Sequence, residues 1–304
     1  MKVGIILPLF SGNAERVLEA AREAEELGFH GAFVFDHFFP PGGPRDGASL
    51  EAFATLAAVG AVTERITVGT LVTRATLRPA GLLAKSAAWI DTATGGRLVL
   101  GIGTGDPIDR AEHEAYGIPM LGRNERRAHL DETVRGLKAL FSEGRFEGGR
   151  YVPPLSGPLV PPPARAGGPP IWIGAQALEV VRMAGRIADG WNGWGLGIDG
   201  FSERAKALFE EAEAAGRSAE ATWAGIMLVG EDERETRELL ERRKARGMDD
   251  DVWAGTPAEL TDFLLGLEGA GATWAVLVPA GPKGRARMIA REVLPALSGR
   301  SVVR

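Results

Sequence analysis

Eight short apolar segments alternate with segments of helical periodicity along the 304-residue chain, and this alternation limits the possible folds more than any other feature. The segments are apolar on both faces, as expected of strands buried in a parallel sheet, and the helices between them supply the crossovers. We predict strands at 3–7, 31–35, 66–72, within 97–106, and at 170–174, 190–194, 222–229 and 274–278. Eight strands in strict alternation with helices predict a (β/α)8 TIM barrel.

One stretch, from about 143 to 169, interrupts the alternation before the fifth strand. It is rich in glycine and proline, which favours an inserted hairpin or loop over one end of the barrel. No other segment has the composition of a linker between domains. We therefore predict a single barrel domain over residues 1–304 with an insertion at about 143–169.

The composition excludes several functional classes. The chain has 35 basic and 40 acidic residues and a formal net charge of −5, which gives no electrostatic basis for binding nucleic acid. It has no cysteine, so disulfides, thiolate metal sites and cysteine nucleophiles are excluded. The first apolar run is too short for a signal peptide, and no run reaches membrane-spanning length. We expect a cytoplasmic protein that binds neither nucleic acid nor membranes.

The fourth predicted strand ends in three alternate glycines and a carboxylate: Gly101, Gly103, Gly105 and Asp106. Glycines at these positions let another backbone or a flat ligand approach closely. Asp106 follows the carboxyl end of the strand, where TIM barrels place their chemistry. The alternative is that the glycines only turn the chain and that Asp106 caps the next helix.

The sharpest candidate for catalysis is His37, which follows Asp36 at the carboxyl end of the second strand. A histidine there can donate a hydrogen bond or move a proton near neutral pH, and the alternative is a histidine that only packs in its loop. No two histidines have the spacing of metal ligands, so we predict no metal site. In the next loop, Ser49 is expected to cap the helix at 52–62.

The other positions at the carboxyl ends of the strands are small or aromatic, which suits a wide planar ligand better than a metal ion or a sugar phosphate. Backbone N–H groups at Gly174, Ala175 and Gln176 could hold a phosphate, or these residues could only form a tight loop. Pro8 and Trp194 are candidates for a substrate pocket.

Several short motifs recur in the order and spacing of one known family. They are Phe35–His37, Val68–Thr73 with Arg78–Pro79, Gly95–Arg97 leading into Leu100–Gly105, Pro170–Ala175, Ala188–Asn192 and Gly255–Pro257. Through them the chain resembles the luciferase-like monooxygenase superfamily of flavin- and deazaflavin-dependent (β/α)8 enzymes, over nearly its whole length. Within that superfamily it looks most like the branch that uses coenzyme F420, a deazaflavin that transfers hydride.

The resemblance implies a cofactor site that comprises Asp36, the segment Thr70–Leu71–Val72–Thr73, the segment Gly103–Thr104–Gly105 and the segment Gly174–Ala175–Gln176. It places a non-proline cis peptide at Leu71–Val72, behind the cofactor ring. It implies proton transfer, or stabilisation of the reduced ring, by His37. Asp106 matches a proposed proton donor that is glutamate in the family.

We therefore expect an oxidoreductase that transfers hydride between reduced coenzyme F420 and a small organic substrate. No segment matches the positively charged pocket for a substrate phosphate, so the substrate is not expected to be a sugar phosphate. One alternative is a two-component monooxygenase that uses FMN, oxygen and a separate reductase. Another, of a different class, is a non-catalytic flavin-binding barrel. The resemblance also implies a homodimer or a larger homo-oligomer.

Overall fold

The computed structural model describes residues 1–41, 43–248 and 252–298. Strands and helices alternate through most of this chain. The strands are β1 (Lys2–Ile6), β2 (Gly31–Val34), β3 (Thr67–Arg74), β4 (Leu98–Gly103), β5 (Arg145–Phe146), β6 (Leu155–Ser156), β7 (Ile171–Gly174), β8 (Gly190–Trp194), β9 (Glu220–Val229), β10 (Val252–Gly255) and β11 (Ala272–Ala280).

The helices lie between these strands, and two 3-10 turns, Leu9–Ser11 and Pro107–Asp109, follow β1 and β4. The α-helices are α1 (Ala14–Glu26), α2 (Ala52–Val62), α3 (Ala80–Ala93), α4 (Arg110–Ala115), α5 (Arg123–Ser142), α6 (Leu178–Ile187), α7 (Ile198–Ala214), α8 (Glu233–Lys244), α9 (Pro257–Gly269), α10 (Arg285–Glu292) and α11 (Leu294–Ser298). Among the described residues, no helix combines the length and apolarity needed to cross a membrane.

Eight parallel strands close into a barrel in the order β9, β11, β1, β2, β3, β4, β7, β8 and back to β9. This closure confirms the predicted TIM barrel, and each predicted strand segment coincides with one strand of the barrel. Strand β10 was not predicted. It is short and half-buried over most of its length, and among the described residues it pairs only with the carboxyl-terminal part of β9. Its sequence shows no apolar run or alternation that would predict a strand.

The glycine- and proline-rich stretch forms the antiparallel hairpin of β5 and β6, which confirms an inserted segment before β7. Arg165 ties this insertion to the barrel through hydrogen bonds to buried Asp91 on α3 and to the Leu98 carbonyl. The division into one domain over 1–304 stays a prediction, and its last residues, 299–304, lie outside the described residues.

The helix α2 begins differently from expectation. Its N-cap is Glu51, whose carboxylate accepts a hydrogen bond from the Ala54 N–H at 2.6 Å. Ser49, the predicted cap, instead donates to the His37 carbonyl oxygen at 2.6 Å. The serine lies two residues before the helix start, so it stabilises the loop that carries His37 rather than the helix.

Aromatic side chains fill the lower part of the barrel. Phe33, Trp172 and Trp274 are buried, and their ring centroids lie 5.6–5.9 Å apart. Residues two apart on a strand share a face, so Phe35 follows Phe33 toward the carboxyl ends of the strands. This packing closes the lower part of the lumen, and a ligand of the barrel has to bind at the open mouth.

Candidate active site at the barrel mouth

The peptide bond between Leu71 and Val72 is cis, as the resemblance implied. It lies at an irregularity of strand pairing, because β3 and β4 pair up to Thr70 and again from Thr73, with a register shift between them. Leu71 is buried in the inner cluster of the barrel, and half-buried Val72 packs against that cluster. Both predicted residues therefore lie at the inner wall of the mouth.

Glycines make room for the Val72 side chain. A methyl group added at Gly103 would lie 2.9 Å from Val72 Cγ2, and one at Gly174 would lie 2.9 Å from Val72 Cγ1. At Gly101 it would overlap the Thr70 carbonyl oxygen. Gly103 and Gly174 thus accommodate the side chain of the valine that forms the wall, and Gly101 accommodates another backbone, one of the two roles expected for the glycines of the fourth strand.

His37 is joined to a glutamate that sequence reasoning did not identify. Its Nδ1 lies 2.8 Å from Oε1 of Glu112, which is buried on α4. Because a carboxylate can only accept, Nδ1 carries the proton and the lone pair of a neutral His37 lies on Nε2. Nε2 makes no hydrogen bond to any described residue, and the side chain is 18% exposed. It is free to exchange a proton with a ligand in the mouth.

A buried arginine completes this network. Arg74 NH2 donates to Glu112 Oε2 at 2.5 Å, and Arg74 NH1 lies 3.2 Å from Asp109 Oδ1. The Phe38 N–H also donates to Glu112 Oε2, at 3.2 Å. Burial alone would raise the pKa of Glu112, but the hydrogen bond and charge of His37, together with Arg74, lower it below its ordinary value. The carboxylate is therefore held ionised beside the histidine.

Asp36 lies in a second, separate ion pair. Its carboxylate accepts hydrogen bonds from the Thr73 hydroxyl at 2.6 Å and from Arg78 NH1 at 2.5 Å. Arg78 also bonds Glu51 and stacks over the Phe53 ring at 4.4 Å. Burial alone would lower the pKa of Arg78, but the hydrogen bonds and charges of Asp36 and Glu51 outweigh burial and raise it. Asp36 is 3% exposed and fully paired. These contacts stabilise the loop that carries His37.

Aromatic rings surround His37 at the mouth. Phe35 stacks on Phe10 at 6.0 Å and meets Trp194 edge-on at 5.8 Å, and both Phe10 and Phe35 lie within 6.4 Å of the His37 ring. Pro8 and Trp194, the predicted pocket residues, are half-buried at the ends of their strands. Aromatic rings therefore flank His37, while its Nδ1 contacts Glu112 and lies 3.8 Å from Asp109 Oδ1.

The predicted phosphate loop borders an open cavity of about 440 Å³, lined by Thr104, Ala175 and Gln176. Gln176 Nε2 donates to the Trp194 carbonyl at 2.9 Å, and the Ala175 N–H donates to the Asn192 carbonyl at 3.1 Å, so protein bonds fix the loop. The first turn of α5 lines the opposite side with arginines, which sequence reasoning missed. They are Arg123, Arg126 and Arg127.

Asp106 is exposed, and its Oδ1 accepts a hydrogen bond from the Ile108 N–H at 2.9 Å. This contact caps the 3-10 turn Pro107–Asp109, whereas the N-cap of the next α-helix, α4, is Asp109 rather than Asp106. The Asp106 N–H donates to Asp109 Oδ2 at 2.7 Å, and Gly105 before it has φ of +70°, which favours glycine. The proton-donor role of Asp106 stays a prediction.

The cluster around His37 also has the composition of a metal site. One ligand atom each from His37, Asp109 and Glu112 lies within 4.8 Å of the others. The Arg74 guanidinium contacts both carboxylates and already supplies the positive charge that a cation would bring. We assign no metal to this cluster.

Comparison with known proteins gives the family. The model of the luciferase-like monooxygenase family matches residues 1–284. An F420-dependent glucose-6-phosphate dehydrogenase of Intrasporangium calvum is 37% identical over 172 residues, which are 55% of this chain and 50% of that protein. The protein of that name from Kineococcus radiotolerans is 36% identical over 209 residues, 67% of this chain and 60% of that protein. The chain thus spans half to three fifths of the length of these relatives.

A solved structure shows the same fold over the whole chain. The F420-dependent secondary alcohol dehydrogenase in complex with an F420-acetone adduct superposes with a TM-score of 0.84 at 18% identity, and the match covers 99% of both chains. The closed barrel, the cis peptide at the end of β3 and the family match all indicate the same family. The chain belongs to the luciferase-like monooxygenase family.

Proposed function

We propose that the protein is an oxidoreductase that transfers hydride between coenzyme F420 and a small organic substrate. The observation that carries the proposal is the pairing of His37 Nδ1 with Glu112, which leaves Nε2 free at a mouth flanked by aromatic rings. The choice of coenzyme F420 rests on the names of the relatives, which are 36–37% identical to this chain over part of their length.

The residues at the mouth fit a flat ring that carries an anionic group. The wall formed by Val72 and its glycine neighbours, Gly103 and Gly174, offers an apolar backing without bulky side chains. The free N–H groups at the start of α6 suit a phosphate. When bound, the deazaflavin supplies the hydride donor or acceptor, and the protein positions it.

His37 performs the proton step in this proposal. As hydride leaves the carbon of a substrate alcohol, Nε2 accepts the hydroxyl proton, and in the reverse direction it returns that proton to the carbonyl oxygen. Glu112 stabilises the imidazolium formed in this step, and the pairing with Arg74 keeps Glu112 in place.

We propose a neutral substrate rather than a sugar phosphate. The two arginines that pair with the acidic residues around His37 are occupied, Arg74 by Asp109 and Glu112 and Arg78 by Asp36 and Glu51. A phosphate beside His37 would find both of these guanidinium groups already paired, whereas the aromatic rings suit an apolar alcohol or ketone.

The test is a titration with coenzyme F420 and with FMN, followed by turnover with secondary alcohols and with glucose 6-phosphate. We expect coenzyme F420 to bind and neutral alcohols to be the better substrates. His37→Ala should lower turnover by about 10²–10⁴-fold with cofactor binding retained. His129→Ala, on α5 and bonded to Thr133, is the matched control and should leave turnover unchanged. Unchanged turnover in His37→Ala would refute the assigned role.

Two alternatives keep the same barrel. An FMN-dependent monooxygenase with a separate reductase is favoured if FMN binds more tightly and its reduced form consumes oxygen with product formation. A non-catalytic flavin-binding protein is favoured if a cofactor binds and no acceptor reacts. The separate reductase and the cytoplasmic location stay predictions.

We further propose a homodimer that buries the outer face of α2 and α3. Leu82 and Trp89 lie seven residues apart on α3 and are 56% and 53% exposed, and α2 has no charged residue. Small outward alanines on α2 would let the same surface of a second copy pack closely. Trp89→Glu should convert the dimer to a monomer in light scattering, and a monomeric wild type would contradict the proposal.

A further inference from the structure

The cavity beside the phosphate loop has more positive charge than a phosphate group requires. Arg123, Arg126 and Arg127 have the i, i+3, i+4 spacing that places side chains on one face of a helix. They face the loop that holds Gln176 across a cavity of about 440 Å³. Three arginines thus line one open space at the edge of the barrel mouth.

Two of these arginines have no acidic partner in the part of the chain that the structure describes. Arg123 makes no ion pair or side-chain hydrogen bond with a described residue. Arg126 NH1 donates to the Leu121 carbonyl at 2.9 Å, but its buried Nε has no acceptor among residues 1–41, 43–248 and 252–298. Arg127 is paired with Glu179, whose side chain is 70% exposed. Because an unpaired buried donor is unfavourable, the arrangement is suited to an anion that the protein itself does not supply.

The start of α6 adds a second source of positive potential at the same cavity. Helix α6 begins at Leu178, and its N-cap residue, Ala177, has no side chain that could accept the free N–H groups of the first turn. Both Ala177 and Val180 line the cavity. The positive end of the helix dipole and the free N–H groups suit one anionic group, which leaves the α5 arginines for others.

We propose that the α5 arginines form a subsite for the carboxylate-bearing tail of the cofactor, beyond its phosphate. This inference rests on the proposed function. Coenzyme F420 carries a chain of glutamates joined to its ring through a phosphodiester, whereas FMN ends in its phosphate. The phosphodiester occupies the start of α6, and tail carboxylates pair with Arg123 and Arg126. The subsite therefore selects the tailed deazaflavin over a flavin mononucleotide.

The test measures dissociation constants for coenzyme F420 with several glutamates and for the deazaflavin head group that lacks phosphate and tail. The double variant Arg123→Ala/Arg126→Ala should bind the tailed cofactor about tenfold more weakly, and high salt should reduce the difference. Its affinity for the head group should not change. Arg135→Ala is the matched control, because Arg135 lies on the same helix, paired with Asp131. If the double variant does not fold, exposed Arg123→Ala alone is measured.

The outcomes separate this inference from the proposed function. Equal affinity of the wild type for the tailed cofactor and the head group, or no change in the variant, overturns the subsite and leaves the proposed function standing. If the wild type binds no deazaflavin, the proposed function fails. In that case the subsite for the cofactor tail fails as well, whether or not a triglutamate peptide raises the melting temperature of the wild type.

Discussion

Replacing Glu112 by glutamine should reverse the tautomer of His37. The carboxylate has two different environments: Oε1 faces His37 Nδ1 at 2.8 Å, while Oε2 accepts from both Arg74 NH2 and the Phe38 N–H. Glutamine has one acceptor and one NH2 group. The amide oxygen will take the position of Oε2, because the opposite orientation would place the NH2 group against two donors, Arg74 NH2 and the Phe38 N–H. The NH2 group then faces Nδ1, which must become the acceptor, and the proton moves to Nε2.

The structure sets the size of two effects of Glu112→Gln, on the free energy of unfolding and on turnover. Arg74 keeps Asp109 at 3.2 Å, so the loss of one charged partner should lower the free energy of unfolding by about 2 kcal/mol rather than the full cost of an isolated buried charge. A neutral His37 that carries its proton on Nε2 cannot accept one there. Turnover of an alcohol should therefore fall by about a hundredfold or more.

The assay is 15N NMR of protein labelled in the histidine rings, which distinguishes a protonated Nδ1 from a protonated Nε2. The spectrum of His37→Ala identifies the His37 signals. Asp91→Asn is the control, because Asp91 is also a buried, paired carboxylate but contacts Arg165 far along the chain. It should lose stability and keep the tautomer. A wild-type His37 protonated on Nε2, or a Glu112→Gln variant with turnover within twofold of wild type, would refute the reasoning.

Three further results are expected. Gly103→Ala places a methyl group 2.9 Å from Val72 Cγ2 and should weaken cofactor binding, with Val72→Ala restoring it in a titration of the double variant. The lowered pKa of Glu112 contributes stability that is present above the ordinary value of 4.5 and lost as the pH falls through the folded pKa, so urea midpoints of wild type and Glu112→Gln should converge below about pH 4.5. Arg78→Ala leaves buried Asp36 without its cation and should lower the free energy of unfolding by about 3 kcal/mol, measured by urea denaturation at neutral pH.

The barrel itself could be predicted because hydrophobic periodicity is a local property. Each of the eight barrel strands was predicted from its own apolar run, and the position of His37 followed from the end of one such run. The cis peptide at Leu71–Val72 came from the family resemblance and not from any pattern in the chain. Strand β10 was missed because its four residues, three of them half-buried, show no period of their own.

The partners of His37 could not be predicted in the same way. Glu112 lies 75 residues from His37 along the chain, in a six-residue helix of mixed polarity that gives no reason to single it out. In the sequence, the arginines at the start of α5 have the pattern of the exposed face of any surface helix. Only the structure places them opposite the loop at Gln176.

The sequence by itself determined the alternating elements and therefore the barrel, because the burial of each strand and helix depends on residues close in the chain. Only the tertiary structure decided which charges meet. Closure of the barrel brings β3 beside β4 and sets Arg74 between Asp109 and Glu112, and that contact leaves His37 with one free nitrogen at the mouth. Charge pairing across a closed sheet depends on distance in space, which a linear pattern does not encode.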